Sequence, residues 1–140
     1  MASEQRVEMS IPADVRYLNV VGAAIGAMME HLKIEGDKST VSYEVQLAVH
    51  EVCTNIIEHA YKYDTSKTVR VDMVLASMST FVVQLYDTSG IRFDASDVDE
   101  PDVAVLQEGG MGLMLVKKIM DDVAYTHENK VNCWRLTKQF

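Results

Sequence analysis

The 140-residue sequence predicts a two-layer α/β sandwich of the α+β class, with helices on one face of a mixed, mostly antiparallel sheet. Three observations predict it. The length and the 48% hydrophobic content are those of one domain, residues 1–140, with a single core, because chains of roughly 100–200 residues usually form one. Strand-like and helix-like periodicities follow in the order β, α, α, β, β, loop, α, β, β, which is not the βαβ alternation that builds a parallel sheet. The strands come in adjacent pairs split by short polar turns, as hairpins do.

Taken in order, Val7 to Ile11 alternates as a first strand, and Pro12 and Asp14 fit the first turn of a helix. Val15, Leu18, Val21, Ile25, Met28 and Leu32 recur at three- to four-residue steps, an amphipathic helix that Gly36 ends. Gly22, Gly26 and neighbouring alanines make one side of it small, compatible with close approach of another helix. Ser39 or Thr40 caps a second helix, with Val41, Val45, Ala48, Val52, Ile56 and Ala60 on its apolar side, running to about Tyr63. Thr68 to Leu75 and Phe81 to Tyr86 read as strands joined by the turn Ala76 to Ser79. A loop without periodicity, Asp94 to Gly109, leads to a third helix from Met111 to Met120. Val123 to His127 and Val131 to Lys138 close the chain as a hairpin around Glu128, Asn129 and Lys130.

With 13 Lys plus Arg against 21 Asp plus Glu, the formal charge is −8. Direct nucleic-acid binding is not expected, because neutralising phosphates needs a basic face. Cys53 and Cys133 stand apart, without the spacing of a disulfide framework or zinc cluster, and are expected as reduced structural thiols. Met1 to Met9 lacks a basic and then apolar leader, and the longest apolar stretch, Val20 to Met29, is half of the ~20 residues a membrane span requires. A cytoplasmic protein with no membrane partner is expected.

Three motifs carry chemistry. Glu51 and Asn55 lie four apart on the second helix, hence one turn apart on one face. A carboxylate there can take a proton from an attacking hydroxyl, and a neutral amide oxygen can ligate Mg²⁺. Asp87 ends a strand before a turn closed by Gly90, and its carboxylate can accept from an amino group such as that of adenine. Gly109, Gly110, Met111, Gly112 and Leu113 open the third helix, where glycine-flanked amides and the helix dipole can hold an anion. Each motif alone also fits a bland reading: a solvated helix face, a plain turn, a flexible helix entry. His50-Glu51 begins a zinc-protease pattern, but position 54 is Thr and His59 lies nine residues on, so the second ligand is missing.

In this order the three motifs resemble the asparagine box and two glycine boxes of the GHKL ATPase superfamily of gyrase, heat-shock chaperones, MutL and histidine kinases. His59-Ala60-Tyr61, Phe93-Asp94, the run Gly109 to Val116, Met120 to Val123 and the Leu136-Thr137-Lys138 ending resemble more specifically its anti-sigma-factor serine kinases. The resemblance covers the chain from Ile11 to the end. It implies a Bergerat-type ATP-binding fold, with ATP and Mg²⁺ as cofactors. Glu51 would be the catalytic base, Asn55 the Mg²⁺ ligand, Asp87 the adenine contact, and Gly90, Gly109, Gly110, Met111, Gly112 and Leu113 the remaining nucleotide contacts. The implied activity is transfer of the ATP γ-phosphoryl group to a serine of a small anti-anti-sigma (STAS-like) partner, together with sequestration of a sigma factor by a homodimer.

The sequence departs from that pattern in two places. Gly90 stands three residues after Asp87 rather than two, and Cys133-Trp134 stands in the last hairpin where the family usually has Gly-Asn or Gly-Thr. Both departures predict weaker ATP binding. The loop between the glycine boxes holds six acids, Asp94, Asp97, Asp99, Glu100, Asp102 and Glu108, and no cation, which leaves −2 for the rest of the chain. As a lid it is expected to offer no cation to the γ-phosphate. Two other readings compete: a non-catalytic ATP- or ADP-binding module that switches partners, and a histidine kinase domain with His31 as its acceptor. Glu51 favours catalysis over the first, and the absence of a Pro after His31 disfavours the second.

Overall fold

Alternation of apolar residues along the strands puts every second side chain against the helices. A computed structural model describes residues 4–93 and 111–140. Strands β1 (Gln5–Pro12), β2 (Thr68–Ser77), β3 (Thr80–Asp87), β4 (Asp122–Glu128) and β5 (Val131–Gln139) form one sheet in the order β1-β2-β3-β5-β4. All four neighbouring pairs are antiparallel, so the mixed sheet allowed by the sequence resolves into a purely antiparallel one. Val69, Val71, Met73 and Leu75 of β2 and Phe81, Val83 and Leu85 of β3 point into the core, whose other layer is helical. Truncating a fully buried side chain such as Phe81 is worth about 3–5 kcal/mol. On the opposite face Asp72 is fully buried beneath the guanidinium groups of Arg70, at 2.9 Å, and Arg6, at 3.3 Å.

Among the described residues the helical layer consists of α1 (Leu18–Met29), α2 (Lys38–Asn55) and α3 (Met111–Ile119), with α2 packed against both of the others. The first helix is shorter at both ends than its periodicity predicts. Pro12 is the last residue of edge strand β1, paired with Thr68, and the next amide, Ala13 N–H, donates to Lys67 O at 2.9 Å. Asp14 does not sit inside a helical turn; its carboxylate accepts from Arg16 N–H and caps a 3₁₀ turn, Val15–Tyr17. At the other end Lys33 N–H bonds to Met78 O of the β2–β3 turn at 2.9 Å, which diverts the amide that would continue the helix. Leu32 still reaches the core.

The two glycines on the small side of α1 are approached from within the chain, while Ala23 and Ala27 stay exposed. Gln46 of α2 lies across the glycines, so that a Cβ at Gly22 or Gly26 would stand 3.3 Å or 3.1 Å from its amide group. Both serve α1–α2 packing. Asp37, not Ser39 or Thr40, caps α2: its Oδ1 accepts from both of their amides, and the two hydroxyls donate to its carboxylate at 2.7 Å. These donors, the hydroxyls foremost, hold the Asp37 carboxyl down at about 2. The stability due to this cap is therefore present above the ordinary value of 3.8 and is lost as pH falls through about 2. Asp37→Ala is expected to lower Tm at neutral pH and to change it far less below pH 2, which paired thermal melts will read.

Both hairpin turns are tighter than expected. Strand pairing runs to Ser77 and Thr80, with a register irregularity between Leu75 and Ser77, leaving only Met78 and Ser79 between β2 and β3. Asn129 and Lys130 join β4 to β5 at φ 53° and 64°, the paired left-handed conformation that suits a two-residue hairpin. Among the described residues, no helix is long and apolar enough to cross a membrane.

Candidate active site

The antiparallel order brings three chain segments to one end of the sheet: the second half of α2, the last residue of β3 and the start of β5. After Asn55 the helix widens into a π turn, Ile56–Ala60, in which Tyr61 N–H bonds to Ile56 O at 2.9 Å. The extra residue per turn aims buried Tyr61 at the sheet. Its hydroxyl donates to Thr68 O at 2.7 Å and accepts from Thr88 N–H at 2.9 Å. The helix that carries Glu51 and Asn55 is thereby tied to the strand that carries Asp87.

Glu51 and Asn55 are both half-buried on α2. The Glu51 carboxylate reaches the first turn of α3 and lies against Gly112: a Cβ there would overlap Oε2 and stand 3.2 Å from Cδ. Gly112 thus keeps room for the carboxylate. Met111 begins α3, and Leu113 sends its side chain into the core, which leaves its backbone as the part that could meet a ligand at the helix start. Gly109, Gly110 and the six acids of the predicted lid lie outside the described residues. Among the described residues no three His, Cys, Asp or Glu side chains converge on a metal position. The donor set at this place is one amide, Asn55, which fits Mg²⁺ because that ion commonly completes its octahedron with substrate phosphates and water.

Asp87 is buried, 2% exposed, at the end of β3. Its Oδ1 accepts three hydrogen bonds: Ser89 N–H at 3.1 Å, Ser89 Oγ–H at 2.7 Å and Asn132 Nδ2–H at 3.0 Å. Its Oδ2 accepts none from the described residues. Ser89 thus closes an Asx turn on Asp87, and the additional residue is absorbed with Gly90 at φ +77°. A Cβ at Gly90 would meet only Lys130 Cβ, at 3.8 Å. The backbone angle, not crowding, is what asks for glycine here.

The last hairpin differs from the sequence expectation. Cys133 faces the side of the sheet away from the core, beside Tyr86, and Trp134 packs in the interior against Phe93 and Tyr125, with ring centroids 5.1 and 4.8 Å away. The polar residue sought there is one position earlier. Asn132 is 1% exposed and directly opposite Asp87 in the β3–β5 register. Sequence reasoning passed over it, although an Asn at an inward position of a strand otherwise facing Trp134 and Leu136 into the core was a usable signal. The zinc-protease start is also resolved: His50 is exposed, while Glu51 turns toward α3. His31, the alternative phosphoacceptor, lies beyond the end of α1 in a turn bonded to Met28 O.

The profile of the histidine kinase-like ATPase domain matches residues 11–138. The serine-protein kinase RsbW of Bacillus cereus is 27% identical over 133 residues, covering 89% of this chain and 79% of the relative. That of Bacillus mycoides is 26% identical over 137 residues, covering 91% and 81%. Among solved structures, the RsbU and RsbW domains of a Mycobacterium tuberculosis protein superpose with a TM-score of 0.66 at 16% identity, over 96% of this chain and 32% of that one. The SiaB-SiaC complex of Pseudomonas aeruginosa gives 0.67 at 14% identity, over 94% and 88%. At such identities the structural likeness is one of fold. The profile match takes in every element from the end of β1 to the end of β5, and the chain belongs to the histidine kinase-like ATPase domain family.

Proposed function

We propose that this chain is an ATP-dependent protein serine kinase that acts as an anti-sigma factor in the cytoplasm, as one ATPase domain. Its substrate is a serine of a small anti-anti-sigma, STAS-like protein, and its second partner is a sigma factor that it sequesters. The observation that carries the reading is the Glu51 carboxylate held at the first turn of α3, one helical turn from Asn55. Relatives at 27% and 26% identity that bear the name serine-protein kinase support it.

The chain's own groups account for the chemistry. The serine oxygen attacks the γ-phosphorus, its proton passes to the Glu51 carboxylate, and the bond from that phosphorus to the bridging oxygen breaks to release ADP. Mg²⁺, held by Asn55 together with phosphate oxygens and water, would supply charge neutralisation. The amides of the first turn of α3 face the phosphates, and the free Oδ2 of Asp87 accepts from the adenine amino group. Most of the rate in such a reaction comes from positioning and electrostatics. The acidic segment Asp94 to Glu108 brings no cation, so the γ-phosphate relies on amides and metal. The chain acts as a homodimer, and on the small side of α1 Ala23 and Ala27 remain exposed beside the glycines against which Gln46 packs.

Incubation with labelled ATP and a candidate partner, followed for both serine label and sigma-factor complex, tests catalysis and binding separately. Serine label is the expected result. Nucleotide binding and sigma-factor capture without label would favour the non-catalytic module. Asp87→Asn is expected to weaken ATP binding about 10- to 100-fold in calorimetry, the size of a hydrogen bond to a charged group.

A further inference from the structure

Asn132 is held from both sides. Its Nδ2 faces three acceptors: Asp87 Oδ1 at 3.0 Å, Ile91 O at 2.7 Å and Ser89 Oγ at 3.4 Å. A carboxylate and a carbonyl can only accept, so the nitrogen must point toward them. Its Oδ1 therefore points the other way, toward Tyr125 Oη and His127 Nδ1, both at 2.6 Å. Tyr125 Oη already accepts from Phe93 N–H at 2.8 Å, so its own proton goes to Asn132. With Oδ1 an acceptor, His127 must carry a proton on Nδ1. Tyr125 and His127 are adjacent inward positions of β4, across from Trp134 and Asn132, so the strand register delivers both donors to one oxygen.

The two orientations of this amide have opposite consequences for Asp87. In the observed one, Asp87 receives an N–H on Oδ1 and stays an acceptor throughout, with Oδ2 left for a donor. In the flipped one, Asn132 Oδ1 would face the Asp87 carboxylate and Ile91 O, acceptor against acceptor, a conflict that a proton on Asp87 would relieve. Asp87 would then present a donor. A purine with a 6-amino group matches the first state, and a purine with a 6-oxo group matches the second.

We propose that Tyr125 and His127 are positioning residues that fix the Asn132 amide, and that this fixed orientation makes the site select adenine over 6-oxopurine nucleotides. The inference rests on the reading of Asp87 as the purine contact. Neither residue touches the nucleotide; both act through Asn132. Selectivity by a site built around one hydrogen-bond polarity can be large, because the wrong partner leaves a buried group unpaired.

The test uses ATP and inosine triphosphate, which share the ribose and triphosphate and differ at the purine 6-position. Nitrogen-15 NMR of the wild-type imidazole reads where the proton sits without any substitution, and the expected result is His127 protonated on Nδ1. In calorimetry the wild type is expected to prefer ATP by about 100-fold or more. The double variant Tyr125→Phe/His127→Phe should lose about tenfold of that ratio, and Tyr125→Phe/His127→Gln, which restores a donor, should recover part of it. His127 protonated only on Nε2, or an unchanged ratio in a folded double variant, overturns the proposal. If Asp87→Asn weakens ATP binding while the ratio stays fixed, only this inference fails. If Asp87→Asn leaves ATP binding intact, the purine contact itself is misassigned and both readings fall.

Discussion

Glu51→Gln is expected to reduce serine phosphorylation by about 10²–10⁴-fold while leaving ATP binding in place. The substitution suits the geometry. Gln has the shape of Glu and can keep the packing against Gly112, so what is lost is proton acceptance and not support for the start of α3. Asn55→Ala, one turn further along α2, is expected to behave differently: Mg²⁺-dependent nucleotide binding should be lost, because the proposed amide ligand is removed. Single-turnover transfer to the partner serine and calorimetry with and without Mg²⁺ separate the two. Equal transfer by wild type and Glu51→Gln would sink the assignment of the base.

The second large effect is expected at a residue without a side chain. In Gly112→Ala the new methyl group would occupy the position of Glu51 Oε2, so the carboxylate must turn away or α3 must shift. Either movement displaces the proton acceptor by an ångström or more, and a misplacement of that size can cost about 10²-fold in rate. Alanine is otherwise the better helix former, by up to ~1 kcal/mol at an interior position. The variant is thus expected to be folded and slow. A normal transfer rate, measured alongside a thermal melt, would show that the carboxylate does not need this space.

Much of this was legible in the sequence, and the parts that were not share a cause. Periodicity is local: Val69, Val71, Met73 and Leu75 announce a strand with one buried face whatever lies beside it, and every strand and helix appears near its expected place. The spacing of Glu51 and Asn55 also fixed their common face, since a helix settles it within one turn. Asn132 could not be weighed in the same way. Its meaning depends on β5 inserting between β3 and β4 and on a register that sets it opposite Asp87, a pairing 45 residues apart in the chain. The α2 cap was misread because three neighbouring residues could all cap; Ser39 and Thr40 donate their hydroxyls to Asp37. Likewise, Gly22 and Gly26 announce closeness to something, but the sequence does not say that Gln46 is what comes close.

The Tyr61 hydroxyl meets Thr68 O and Thr88 N–H at once. Together with the core packing of α2 on the sheet, this hydroxyl helps to hold the span between the proposed purine contact at Asp87 and the proposed base at Glu51. A nucleotide is a ruler of fixed length, and this tether is one of the contacts that would match the protein to it. Changes at position 61 should accordingly show as a correlated loss, with base recognition and phosphoryl transfer declining together across a series of substitutions, although neither Asp87 nor Glu51 has been altered.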